Sequence, residues 1–127
     1  MIDTEASMVW ALPRKSQEFM EPPSLTQRGD QLDLVYDYET DSGQYQRAAI
    51  SFRGVEAFSF TSFELCSPEQ VAAYDKVIAI HSSEWLKRLR SQRAIKEGTV
   101  LHYRMFFDEV GCYEIIASEF HPPTRAV

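Results

Sequence analysis

Between Val100 and Phe120, Leu101, Tyr103, Met105 and Phe107 alternate with other residues into Asp108-Glu109-Val110-Gly111, and Tyr113, Ile115 and Ala117 alternate out again. A period of two on both sides of a turn is the signature of a β-hairpin with one apolar face. The same pattern lies upstream. Leu32, Leu34, Tyr36 and Tyr38 alternate with Asp33, Val35, Asp37 and Glu39 before Asp41-Ser42-Gly43. Two hairpins with committed faces require a shared interior, which excludes an all-helical fold.

The turns fix the register. A three-residue loop with Gly43 in the left-handed position sets Leu34 opposite Ile50, Leu32 opposite Phe52, Tyr36 opposite Ala48 and Asp37 opposite Arg47. A one-residue slip would send Ile50 and Phe52 to water. The same reasoning applied to the second hairpin pairs Asp108 with Cys112, Phe107 with Tyr113, Met105 with Ile115 and Tyr103 with Ala117. His102 then falls opposite Ser118. Between the hairpins, Val55 to Leu65 reads as a strand covered on both sides.

Ser67-Pro68-Glu69-Gln70 reads as a helix start, with Ser as the cap, Pro at the first position and Gln three residues after the cap. The β-branched run Val77-Ile78-Ala79-Ile80 argues that this helix ends near Asp75 and a short strand follows. Ser82-Ser83-Glu84 starts a second helix, with Trp85, Leu86 and Leu89 as its buried stripe and Lys87, Arg88, Arg90 and Arg93 outside; Gly98 closes it. Residues 1–29, with Pro13, Pro22 and Pro23, read as an irregular N-terminal arm that Trp10 and Phe19 pin to the body. Residues 30–121 read as one α+β domain, and 122–127 as a tail. The expected fold is an antiparallel sheet of five or six strands, two hairpins and a middle strand, with one or two short helices packed on it.

Composition narrows the function classes. The 127 residues carry a formal charge of −6, which disfavours nucleic acid and anionic membrane as partners. Acids near Met1 and the lack of a long apolar run speak against a leader or a span, so a cytoplasmic location is expected. Cys66 and Cys112 have no second ligand at metal spacing, His81, His102 and His121 lie in separate segments, and no Gly-rich phosphate loop occurs, so no metal and no cofactor are expected.

Tyr74-Asp75, Ser83-Glu84-Trp85-Leu86 and the stretch from His102 to Glu114 resemble a group of small uncharacterised bacterial proteins, over roughly the last half of the chain. Some similar small domains are encoded beside polymorphic toxins and act as immunity proteins. The resemblance implies a cytoplasmic chain that binds another protein, and carries over no catalytic residue.

Two surfaces are candidates. Asp33, Asp37 and Glu39, interleaved with Val35 and Tyr45, form an acidic strand face suited to a basic protein partner; the competing reading is a solvated face whose charges guard against aggregation. His102, Arg104 and Glu114 share the polar side of the last hairpin with Cys112, where a diagonal Arg104–Glu114 ion pair is expected and Cys112 lacks a base within reach. Lys87, Arg88, Arg90, Arg93 and Lys96 form a basic patch without aromatic platforms for RNA. The reading is a non-enzymatic protein-binding module, an inhibitor or immunity-type protein being one form of it. The alternative is a small-ligand domain with a pocket lined by Tyr36, Tyr38, Phe58 and Phe60; the lesser alternative is a hydrolase using His102 and Glu114. Oligomeric state is open at this point.

Overall fold

Alternate burial runs through Gln31–Glu39 and Tyr45–Arg53, whose even-numbered residues from Leu32 to Tyr36 and from Ala48 to Phe52 are closed to solvent. A computed structural model describes residues 6–93 and 100–123 and shows what these residues meet. The strands are β1 (Ala6–Ala11), β2 (Ser24–Arg28), β3 (Gln31–Glu39), β4 (Tyr45–Arg53), β5 (Ala57–Ser62), β6 (Lys76–Ile80), β7 (Leu101–Phe107), β8 (Gly111–Ala117) and β9 (Glu119–His121). Two helices, α1 (Pro68–Val71) and α2 (Glu84–Arg93), flank β6. The first sheet runs β1-β6-β7-β8-β5 and the second β2-β3-β4-β9, and every paired strand is antiparallel.

The fold is therefore α+β, as expected, with nine strands among the described residues in two stacked sheets rather than five or six in one. The core lies between the sheets. Leu32, Leu34, Ile50 and Phe52 of the second sheet meet Val77, Tyr103, Met105, Phe107 and Ile115 of the first. Phe52 tilts against Tyr103 at 5.3 Å between ring centroids. Both hairpins needed a cover for their apolar faces, and each covers the other.

The stretch predicted to be an irregular arm supplies much of the extra structure. Within residues 6–29, β1 adds to β6 and β2 adds to β3, so each sheet gains an edge strand. Trp10 packs beside Phe120, and Phe19 stacks on Tyr36 at 4.6 Å. A 3-10 turn at Ser16–Glu18 joins the two strands, and buried Ser16 anchors it: its N–H donates to Asp75 Oδ2 at 3.2 Å and its Oγ accepts from the Asp108 N–H at 2.9 Å. Three prolines disguised this segment, because they punctuate two short strands whose pairing partners are remote in sequence. Residues 1–5, 94–99 and 124–127, which include the expected helix stop at Gly98, Lys96 and most of the expected tail, lie outside the described residues.

The first hairpin has the expected register throughout, with Gly43 at φ +84°. The second differs. Phe107 pairs with Gly111, Met105 with Tyr113 and Arg104 with Glu114, two residues away from the expected alignment. Glu109, not Gly111, takes the left-handed turn position at φ +59°, and Gly111 opens β8 at φ +138°. The reason lies on the neighbouring strand: a β-carbon at Gly111 would run into the Thr61 carbonyl and press on the Phe60 ring. Because the shift is two residues, each side chain keeps its expected face. The strand expected to be covered on both sides also differs, since β5 is an edge with Phe58 and Phe60 half open to water.

Gly111→Ala is expected to cost about 3 kcal/mol, combining strained φ with a steric clash. Gly29→Ala, at φ +58° with open space around its β-position, should cost only about 1 kcal/mol. Urea unfolding of the two variants separates them; equal losses would mean that the positive φ of Gly111 matters and its close approach to Thr61 does not.

Candidate functional site

On β7 and β8 the even-numbered residues face away from the inter-sheet core, which brings His102, Arg104, Phe106, Cys112, Glu114 and Ile116 onto the outer side of the first sheet. Two small apolar clusters cover the ends of this surface. Ala73, Phe106 and Cys112 close beneath the α1 segment, and Leu86, Val100 and Ile116 close beneath α2. His102, Arg104 and Glu114 fall between them and are also largely buried.

Glu114 is the acceptor for all of its neighbours. Its Oε1 accepts from His102 Nε2 and from Arg104 Nε, both at 2.8 Å, and its Oε2 accepts from Gln70 Nε2 at 3.0 Å. Gln70 reaches it because it belongs to the expected capping box. Its N–H donates to Ser67 Oγ and its Oε1 accepts from the Ser67 N–H, which turns the amide nitrogen toward Glu114. On the other side of the ring, Ser83 Oγ lies 2.6 Å from His102 Nδ1 and accepts from the Leu86 N–H at 3.0 Å as the cap of α2. With the ring neutral, these partners fix the tautomer: the Ser83 hydroxyl donates to Nδ1, and Nε2–H donates to Glu114. Trp85 stands edge-on to the imidazole at 5.3 Å.

The expected Arg104–Glu114 pair is present, directly across the strands rather than diagonal, and the diagonal contact is His102–Glu114. Ser83 was missed as a member of this group. Its sequence signal was that of a helix cap, and only the packing of α2 on β7 brings its hydroxyl to His102. Burial alone would push the Glu114 carboxyl up; the His102 hydrogen bond and the Arg104 charge outweigh it and hold the pKa down at about 2.

Ser83, His102 and Glu114 thus line up as a hydroxyl, an imidazole and a carboxylate. The order matches hydrolytic triads, but the environment differs. Ser83 is only 3% exposed, and its oxygen is already engaged by the helix it caps. Burial pushes the Cys112 thiol well up, away from the thiolate form. The network borders an open cavity of about 460 Å³, lined by Ser59, Glu84, Trp85, Arg88, His102, Arg104 and Glu114. The hollow is open to solvent, and the His102, Arg104 and Glu114 side chains on it are bonded to one another, unlike the apolar enclosure of a small-molecule pocket.

The four aromatics proposed for such a pocket do not meet. Tyr36 is buried beneath Phe19 in the second sheet, with Tyr38 beside it, whereas Phe58 and Phe60 sit on the edge of the first. His81 directly follows Ile80, the register partner of His102, but its ring bonds to Ser7 on the β1 side, and His121 bonds to Glu119 in the second sheet. Among the described residues no group of three or more His, Cys, Asp or Glu could hold a metal ion, and no helix is long and apolar enough to cross a membrane.

The acidic face lies on the outer side of the second sheet. Asp33, Val35, Asp37, Glu39 and Tyr45 all share it, because Val35 pairs with Ala49, Asp37 with Arg47 and Glu39 with Tyr45. Its charge is partly balanced in place. Arg47 Nε donates to Asp37 at 2.9 Å, and Arg28 lies 3.5 Å from Asp33. Tyr45 is 70% exposed. Glu21, Pro22, Val35, Asp37 and Arg47 border a hollow of about 280 Å³ on this side. In the basic patch, Lys87 pairs with Glu84 at 3.7 Å and Arg90 is half-buried rather than outside.

No family model, no curated protein and no solved structure matches this chain.

The depressed Glu114 pKa carries a signed prediction. A carboxyl whose folded pKa lies below its unfolded one stabilises the fold fully above the unfolded value, and this contribution disappears as pH falls through the folded value. The window here runs from 4.5 down to about 2. Glu114→Gln should lose about 3 kcal/mol at neutral pH, and its deficit against wild type should shrink across that window in urea titrations. A deficit that stays constant down to pH 2 would show that the carboxylate charge is not what the network uses. Ser83→Ala, which removes the cap and strands Nδ1, should cost about 2 kcal/mol by the same measurement.

Proposed function

We propose that this chain is a non-enzymatic protein-binding module that meets its partner with the outer face of the second sheet. The observation that supports this reading best is the hollow over Val35, flanked by the Asp37–Arg47 pair on an uncovered sheet face that also presents Tyr45. An exposed tyrosine beside a small depression is the kind of feature that concentrates binding energy at protein interfaces.

The first sheet offers less to a partner. Its outer face is occupied by α1 and α2, and its polar groups are spent on one another. That arrangement also speaks for a binding role over a hydrolytic one, since Ser83 is closed to a substrate.

With Asp33 and Asp37 each beside an arginine, the face is of mixed sign. Net negative charge sits at the hairpin end, where Glu39 has no ion-pair partner among the described residues. The partner we infer brings an apolar side chain to Val35 and a basic one toward Glu39. An inhibitor or immunity-type protein facing a basic toxin is the form of this role that the sequence resemblance favours.

Val35→Arg and Tyr45→Ala should each weaken capture of the partner from host lysate about tenfold, that is by about 1.4 kcal/mol, with little change in thermal midpoint. Leu65→Ser, exposed elsewhere, should capture normally. Glu39→Lys should slow association and flatten its salt dependence. Equal capture by all the variants rejects this face as the contact surface.

A further inference from the structure

Strand β5 closes the first sheet with the sequence Ala57-Phe58-Ser59-Phe60-Thr61-Ser62, which holds no charge, proline or glycine. Every other edge carries a guard against strand addition. β1 breaks register between Met8 and Trp10, β2 is short, follows Pro22-Pro23 and ends in Arg28, and β9 is three residues long with Glu119 in it. β1 equals β5 in length and neutrality, so its break in register is what sets it apart, and β5 is the uncharged six-residue edge that pairs in unbroken register. Phe58 and Phe60 share the face of Ile115 and Tyr113 but remain 40% and 48% exposed, because they reach past the cover of the second sheet.

The backbone points the same way. The Phe63 N–H donates to the Val110 carbonyl, so in the alternation of an antiparallel ladder the odd-numbered residues of β5 bond to β8. The N–H and C=O groups of Phe58 and Phe60 therefore point out of the sheet edge. We propose that this edge binds a second copy of the chain, β5 against β5, about a two-fold axis between the two Ser59 residues.

Three alignments keep matching faces together. Centring on Phe60 gives a single aromatic pair and leans on Ser62, whose carbonyl already takes the Cys66 thiol at 3.4 Å. Centring on Phe58 sets Glu56 against a phenylalanine. Centring on Ser59 places Phe58 opposite the partner's Phe60 twice over, with four backbone hydrogen bonds between these residues, and matches the sheet's preference for aromatic cross-strand pairs. A pairing this short lies below about 1,200 Å² of buried surface, so the dimer is a concentration-dependent one.

In this register the two Ser59 residues form a non-hydrogen-bonded pair with their Cα atoms about 4.5 Å apart, within the span of a disulfide. In a Cys66→Ser background, where buried Cys112 does not compete, Ser59→Cys should cross-link the chain under mild oxidation far faster than the exposed control Ser91→Cys. Sedimentation of the wild-type chain from micromolar to millimolar concentration should show a monomer–dimer equilibrium that Phe60→Lys weakens about tenfold or more by setting a charge on the edge. A wild-type chain that stays monomeric over that range, or cross-linking of Ser59→Cys no faster than of Ser91→Cys, overturns the pairing and leaves the edge to a strand of some other protein. Should Phe60→Lys lose stability as well, the cross-linking comparison decides, because serine to cysteine leaves the strand intact.

Discussion

Two amphipathic hairpins that cannot be stable apart become stable against each other. That is the constraint from which the rest of the structure follows. An isolated hairpin leaves half of its side chains in water, whereas here Leu32, Leu34, Ile50 and Phe52 lie against Tyr103, Met105, Phe107 and Ile115 in one layer. Each of these larger side chains contributes about 2 kcal/mol by leaving water, and the alternation then decides every outer face without further freedom. The outer side of β7 and β8 has to hold His102, Arg104 and Glu114 because the inner side holds their neighbours.

Those three residues show how a sheet keeps polar groups beneath helices. A buried carboxylate is costly unless its oxygens are satisfied, and Glu114 has donors from β7 on one oxygen and from Gln70 on the other. The same donors hold the two flanking segments in place: Gln70 belongs to the α1 cap, and His102 passes the chain of bonds to Ser83 at the α2 cap. The network therefore acts as a joint that orients both helices on the sheet. The outer side of the first sheet is thereby closed under α1 and α2, whereas among the described residues no helix packs on the outer face of the second sheet.

Much of this was legible in the residues. The register of the first hairpin, the capping box at Ser67 and the short strand before α2 all followed from local rules, because turn chemistry and apolar alternation there agree. The second hairpin exposes the limit of those rules. Its turn could place the glycine in the loop or at the head of the strand, and the choice fell to Thr61 and Phe60 on a neighbouring strand. β1 and β2 escaped notice for a related reason: short strands between prolines acquire their identity from partners at Ile78 and Leu34, not from their own pattern. Ser83 was legible as a cap and illegible as a partner of His102.

The sequence by itself determined which side of each hairpin is apolar, since a period of two assigns faces whatever the strand pairs with, and it determined where the helices begin, since caps are made by residues within a few positions. Tertiary structure alone decided that there are two sheets rather than one, that β5 ends as an uncovered edge, and that a helix cap, a histidine and a glutamate share a line of hydrogen bonds. Those outcomes depend on contacts between segments far apart in the chain, where no local spacing records which surfaces will meet.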